Sequence, residues 1–118
     1  MLVTDDRILA LPEPLDPVVA AVRGGVTSVQ LRLKTAPAVE ILALARRLVT
    51  TLEVPVLIND RPDIARAAGA AGVHLGPDDL SPALARRVLG DRAIVGASVG
   101  NEGESLLAAG ADYWGIGP

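Results

Sequence analysis

Short apolar runs alternate with helical patterns along this chain, and no two strand candidates follow one another. That order leaves little freedom. Strands separated by helices return parallel, through right-handed crossovers, and belong to one sheet. Three segments repeat a single plan: Arg23-Gly24-Gly25-Val26-Thr27-Ser28-Val29-Gln30-Leu31, Ala67-Ala68-Gly69-Ala70-Ala71-Gly72-Val73-His74-Leu75 and Ala108-Ala109-Gly110-Ala111-Asp112-Tyr113-Trp114-Gly115-Ile116. In each, glycine closes a helix, a short turn follows and a strand begins, the pattern of a repeated βα unit.

Periodicity places strands at 2–4, 28–34, up to 58, up to 75, 94–97 and 113–117. The helices between them open at Asp16-Pro17, Pro37, Pro62, Ser81-Pro82 and Asn101. The pattern over 37–52 is the clearest helix, with Ile41, Leu44, Ala45, Leu48, Val49 and Leu52 on one face. Six βα units in 118 residues make one domain, 1–118. The chain has no Phe, and Tyr113 and Trp114 are its only aromatics. Its core must therefore be aliphatic, a palette that suits parallel strands covered by helices on both faces.

Charge and composition exclude several roles. A formal charge of −3 without a basic tail argues against a nucleic-acid partner. With no cysteine there are neither disulfides nor thiolate metal sites. No apolar stretch approaches the roughly 20 residues that span a bilayer. The expectation is a soluble, cytoplasmic protein with no membrane partner.

The unusual polar residues gather at the carboxyl ends of the strand candidates, the rim where α/β barrels and open α/β sheets place their sites. On a strand, Gln30, Arg32 and Lys34 share a face. They read either as a site for phosphate or carboxylate oxygens or as a solvated polar face. Asp60 reads as a cap for the helix opening at Pro62 or as a metal ligand. Asn59, its neighbour, reaches the same site only if the chain turns between them. Asp78 and Asp79 are spare, because Ser81 caps the next helix. They are either solvated loop acids or, for Asp79 with Asp60, a pair of hard oxygen ligands of the kind that holds Mg²⁺ together with substrate phosphates. His74 reads as a packed residue or as a general base, and Ser98 as a helix cap or a ligand donor. Gly96, Gly115 and Gly117 mark strand positions closely approached by a ligand or by backbone.

Taken in order, Gln30-Leu31-Arg32-Leu33-Lys34, Ile58-Asn59-Asp60-Arg61, His74-Leu75-Gly76 with Asp79, Gly96-Ala97-Ser98, and Gly110-Ala111-Asp112-Tyr113 ending in Gly115-Ile116-Gly117-Pro118 resemble the thiamine-phosphate synthase family, and Leu2-Val3-Thr4-Asp5 fits its first strand. The resemblance runs the length of the chain. It implies an α/β fold, the (β/α)8 TIM barrel, of which this chain carries about six βα units. It also implies a transferase that joins 4-amino-2-methyl-5-hydroxymethylpyrimidine diphosphate to thiazole phosphate, giving thiamine phosphate and pyrophosphate. Gln30 would then hold the pyrimidine, and Arg32, Lys34 and Asn59 would hold the pyrophosphate. Asp60 and Asp79 would bind Mg²⁺, and Ser98 would touch the pyrimidine diphosphate. The family's chemistry is dissociative, with pyrophosphate leaving before the thiazole nitrogen attacks. Pro77 departs from the family, which usually has Gln there.

A TIM barrel takes about 250 residues, so the expectation is a fragment whose thiazole phosphate site lies beyond Pro118 and whose sixth strand is an open edge that invites a second copy. Two further readings are a thiazole tautomerase relative, which needs no metal, and a non-catalytic half-barrel that serves in binding or assembly.

Overall fold

A computed structural model describes residues 1–117. Pro118, the end of the last glycine-rich motif, lies outside the described residues. The strands are β1 (Leu2–Val3), β2 (Val29–Leu31), β3 (Val56–Asn59), β4 (Gly72–Leu75), β5 (Ile94–Val99) and β6 (Tyr113–Ile116). They pair in sequence order, every neighbouring pair parallel, in one six-stranded sheet. The helices are α1 (Leu15–Arg23), α2 (Ala38–Thr51), α3 (Pro62–Ala68), α4 (Pro82–Leu89) and α5 (Glu102–Leu107). A 3-10 turn at Asp6–Ala10, capped by Asp5, has no counterpart in the apolar periodicity.

Pairing in register sorts the strand residues into two faces. Ile58, Val73 and Val95 lie side by side in one row, and Leu75, Ala97 and Trp114 in the next. This face meets the helices. Val29, Leu31, Val56 and Ile58 cluster with Val18, Leu44, Ala45, Leu48, Ile64 and Ala65. Further along, Val73, Leu75 and Val95 pack with Ala85, and Ala97 and Val99 with Ala108. The opposite parity carries Gln30, Leu57, Asn59, His74, Gly96, Ser98, Tyr113 and Gly115. Helices therefore cover one face, and the expectation of helices on both is corrected. An aliphatic core fits either arrangement, so composition could not separate them.

The bare face is concave. Five spacings of about 4.8 Å would hold the edges of a flat six-stranded sheet about 24 Å apart. Instead the Tyr113 hydroxyl of β6 lies 3.9 Å from the sulfur of Met1, beside β1.

Local chemistry explains most boundaries. Ser81 caps α4 by accepting from the Leu84 N–H, with Pro82 at the first helical position, and Asn101 caps α5 through the Glu104 N–H. Gly69 closes α3 in the left-handed conformation at φ 71°, where a Cβ would be strained. Two starts differ from the sequence pattern. α1 opens at Leu15, because Glu13 Oε1 accepts its N–H at 3.1 Å. α3 has Arg61, not Asp60, at its cap position, and no side chain caps it.

At the amino ends of the later strands, Arg86 works as a clamp. Its guanidinium donates to the Ala93 carbonyl at 2.8 Å and to the Gly110 carbonyl at 3.1 Å, and meets Asp112 at 3.0 Å. Asp112 also accepts the Val95 N–H at 2.8 Å and returns its own N–H to the Val95 carbonyl. Arg86 is thus tied to the starts of both β5 and β6. Arg86→Ala leaves these carbonyls without a donor and should lower unfolding free energy by about 1–3 kcal/mol in urea titration. A change under about 0.5 kcal/mol, the range of an ordinary surface substitution, would deny the clamp its structural role.

Candidate functional site

β2 ends at Leu31, so Arg32, Leu33 and Lys34 lie in the loop beyond it rather than on the strand, as their alternation suggests. The loop is still fixed. Thr4 Oγ1 accepts the Arg32 N–H at 3.0 Å and donates to its carbonyl. The Asp6 carboxylate accepts the N–H groups of Lys34 and Thr35, both at 3.1 Å, and the Thr35 hydroxyl. Thr4 and Asp6 were not singled out from sequence. Their partners are 28 residues away, and no local pattern signals such a contact. With the loop held, Lys34 Nζ reaches Asp60 Oδ2 at 2.7 Å. Gln30 is buried on the concave face, and its amide lies 3.7 Å from the Met1 sulfur.

After β3 the chain reverses sharply. Asp60 is the only non-glycine described residue with positive φ, at 65°. Its neighbours close a three-residue turn, the Arg61 N–H donating to the Asn59 carbonyl at 2.8 Å. This is a γ-turn of the rarer, strained hand. Its cost is offset where the Asp60 N–H bonds the His74 carbonyl at 2.8 Å, tying the turn to β4. Asn59 and Asp60, adjacent in sequence, therefore both lie at the rim. Asn59 sits in register with His74. An acid in strained backbone at a convergence of charges points to a functional position rather than a helix cap.

Asp79 comes to the same place from the loop after β4, its Oδ2 accepting the Gly76 N–H at 2.7 Å. The two carboxylates lie near enough to influence each other, and their affinities for protons diverge. Partial burial pushes Asp60 up, but hydrogen bonds from Lys34 and Asp79, with the charges of Lys34 and Arg32, leave it below the usual carboxylate range. Burial raises Asp79, and Asp60 raises it further against the opposing Gly76 bond. Asp60 thus holds its proton less tightly than Asp79. Asp78 is exposed beside them.

The pair fits a divalent cation. Asp60 and Asp79 present carboxylate oxygens on one rim beside the Lys34 ammonium, a donor set that suits a small hard cation. Among the described residues no group of three or more His, Cys, Asp or Glu side chains is placed to hold a metal. The protein would thus supply part of a coordination shell, as suits Mg²⁺ completed by substrate phosphates and water.

Next to the pair, His74 and Ser98 are joined to each other and to Tyr113. His74 Nε2 is 2.8 Å from Ser98 Oγ and Nδ1 is 2.9 Å from the Tyr113 hydroxyl. Ser98 caps no helix, since Asn101 serves α5. Burial lowers the His74 pKa below 6.5, with Asp60 pulling the other way. The close approach anticipated at Gly96 comes from a side chain: a Cβ there would lie 2.1 Å from the Tyr113 ring. At Gly115 it would meet His74 at 3.4 Å, while at Gly117 the space is open.

Comparison with known proteins places the whole arrangement. A family model described as "Thiamine monophosphate synthase" matches residues 1–118. The chain is 49% identical over 122 residues to a thiamine-phosphate synthase of Xanthobacter autotrophicus and 50% over 123 residues to one of Azorhizobium caulinodans. Each match covers 99% of this chain and 58% of the relative, so the chain spans a little over half the length of these proteins. A solved structure, "Thiamine phosphate pyrophosphorylase" from Pyrococcus furiosus, superposes with a TM-score of 0.81 at 36% identity, over 99% of this chain and 59% of that one.

Two measurements check the site's physics. Asp60→Gly and Asp60→Ala both remove the carboxylate and differ only in a Cβ at positive φ, so the glycine variant should be more stable by about 1 kcal/mol. Equal stabilities would mean that the turn carries no strain. For His74, the folded pKa is depressed, so its contribution to stability is complete above its unfolded value near 6.5 and is lost as pH falls through the folded pKa. Unfolding free energy between neutral pH and pH ~5 should accordingly fall more in the wild type than in His74→Gln. Parallel profiles would contradict the shift.

Proposed function

The chain belongs to the thiamine monophosphate synthase family, and from that premise we propose that it carries the pyrimidine diphosphate half of a thiamine-phosphate synthase site. The reaction joins 4-amino-2-methyl-5-hydroxymethylpyrimidine diphosphate to thiazole phosphate. The bond between the pyrimidine methylene carbon and the diphosphate oxygen breaks, that oxygen keeping the electron pair. The thiazole nitrogen then supplies the pair for the new carbon–nitrogen bond. Pyrophosphate and thiamine phosphate are the products.

The observation that carries the reading is the convergence of Lys34, Asp60 and Asp79 on one rim, with the Lys34 ammonium 2.7 Å from Asp60 and the Asp79 carboxylate fixed by Gly76. Negative charge grows on the leaving diphosphate as its bond stretches, and preorganised cations lower that barrier. Arg32 and Lys34 would bind its oxygens, Arg32 as a planar fork and Lys34 as a point charge. The Asn59 amide would donate alongside them. Gln30, buried on the concave face, would hold the pyrimidine, and Ser98 would meet the same substrate. Asp60 and Asp79 would hold Mg²⁺, which when bound neutralises diphosphate charge. With Asp60 and Asp79 holding the cation, Lys34 would be free to turn from Asp60 to the diphosphate oxygens. No group is asked to remove a proton in the first step.

The carboxylate pair favours this reading over a tautomerase, which needs no metal. The described residues include no helix long and apolar enough to cross a membrane.

Calorimetric titration with pyrophosphate tests the assignment. Binding should require Mg²⁺, and Asp79→Ala should abolish that requirement together with most of the affinity. Arg32→Ala and Lys34→Ala should each weaken binding about tenfold to a hundredfold with the melting temperature kept, as for loss of one charge-assisted contact. Equal affinity with and without Mg²⁺ in the wild type would refute the metal pair. A sharp fall in melting temperature with affinity intact would make Arg32 and Lys34 structural.

A further inference from the structure

We propose that Tyr113 fixes the tautomer of His74 and thereby turns Ser98 into a hydrogen-bond donor aimed into the concave cleft. Tyr113 and His74 are then positioning residues. The proposal builds on the reading of Ser98 as a substrate contact, and it names the chemistry that Ser98 presents: a hydroxyl proton for an acceptor atom of the bound pyrimidine diphosphate.

Three positions in one row make the arrangement possible. His74 on β4 pairs with Gly96 on β5, which pairs with Tyr113 on β6. Gly96 has no side chain, so the Tyr113 ring lies across it and reaches His74 two strands away. A Cβ at Gly96 would sit 2.3 Å from the Tyr113 oxygen, so any other residue there displaces the phenol. The rings end 5.6 Å apart and tilted by 37°, edge-on enough for the hydroxyl to lie 2.9 Å from Nδ1.

A neutral imidazole carries one N–H donor and one acceptor nitrogen, and its neighbours decide which is which. The phenol is the more acidic partner and a better donor than acceptor, and the ring nitrogen is the strongest acceptor in its reach. Its alternative acceptor is the sulfur of Met1, 3.9 Å away on a residue 52% exposed, and thioether sulfur accepts only weakly. Tyr113 therefore donates to Nδ1, which puts the imidazole proton on Nε2. Nε2–H donates in turn to Ser98 Oγ across 2.8 Å. With that lone pair engaged, Ser98 keeps its own proton for the cleft, where it is half-buried. The reversed chain would consume the serine proton on Nε2 and leave the cleft an acceptor, with no proton to offer an acceptor atom of the pyrimidine ring.

His74 is the only histidine in the chain, so its tautomer can be read without assignment. In a long-range proton–nitrogen correlation spectrum of the labelled protein at mildly alkaline pH, the wild type should show a protonated Nε2 and a bare Nδ1. Tyr113→Phe removes one oxygen and should move the population toward Nδ1–H. Ser98→Ala should leave the wild-type tautomer in place. A wild type with Nδ1–H, a Tyr113→Phe spectrum that does not change, or a flip in Ser98→Ala would each overturn the proposal. These readouts need no ligand, so they stand apart from the assigned reaction. In a second arm, Tyr113→Phe should weaken the pyrimidine diphosphate about twofold to tenfold, the loss of one neutral hydrogen bond, and leave pyrophosphate binding with Mg²⁺ unchanged. An equal loss for both ligands would mean that Tyr113 only supports the fold.

Discussion

Parallel pairing in register is the constraint on which everything else in this molecule rests. Because consecutive strands return in step, residues of one parity form rows across the whole sheet. One set of rows is hydrocarbon and binds the helices. The other carries the polar residues, with Leu57 among them, and no helix is laid over it. A shift of one residue in a strand would exchange its two faces; in β4 it would bury His74 under the helices and turn Val73 into the cleft. The hydrophobic effect on the outer face thus specifies the chemistry of the inner one.

Within the polar face, order is imposed by backbone rather than by bulk. The Asp60 turn places two neighbouring side chains at the rim, and its strain is held by a hydrogen bond to the adjacent strand. Thr4 and Asp6 play the same part for the Lys34 loop. These contacts bring a cation and two acids together before any ligand arrives. The divergent proton affinities of Asp60 and Asp79 follow from that enforced proximity. A site assembled in advance needs little reorganisation on binding.

Strand order, helix positions and the polar rim were legible in the sequence because each has a local signature: a period, a proline after a cap, a glycine at a helix end. The pattern over 37–52 marked Ile41, Leu44, Ala45 and Leu48, and these are buried. What escaped depends on the third dimension. The alternation at 30–34 continues past the end of β2, because a loop pinned by side chains can keep a strand's alternation without its ladder. Asp60 preceding Pro62 looks like a helix cap, but Arg61 takes the cap position and Asp60 turns the chain at a φ of 65°. Tyr113 could have been linked to His74 through parity and the glycine between them, but only once the register of three strands was known. Coverage on one face or two was never in the composition.

The Arg86 clamp sits at the amino ends of β5 and β6, the opposite rim from the acids and cations. Rigidity at one end of the strands is thereby uncoupled from chemistry at the other. Mutations that remodel the loops after β2, β3 and β4 can alter what is bound without loosening the joint between the last strands.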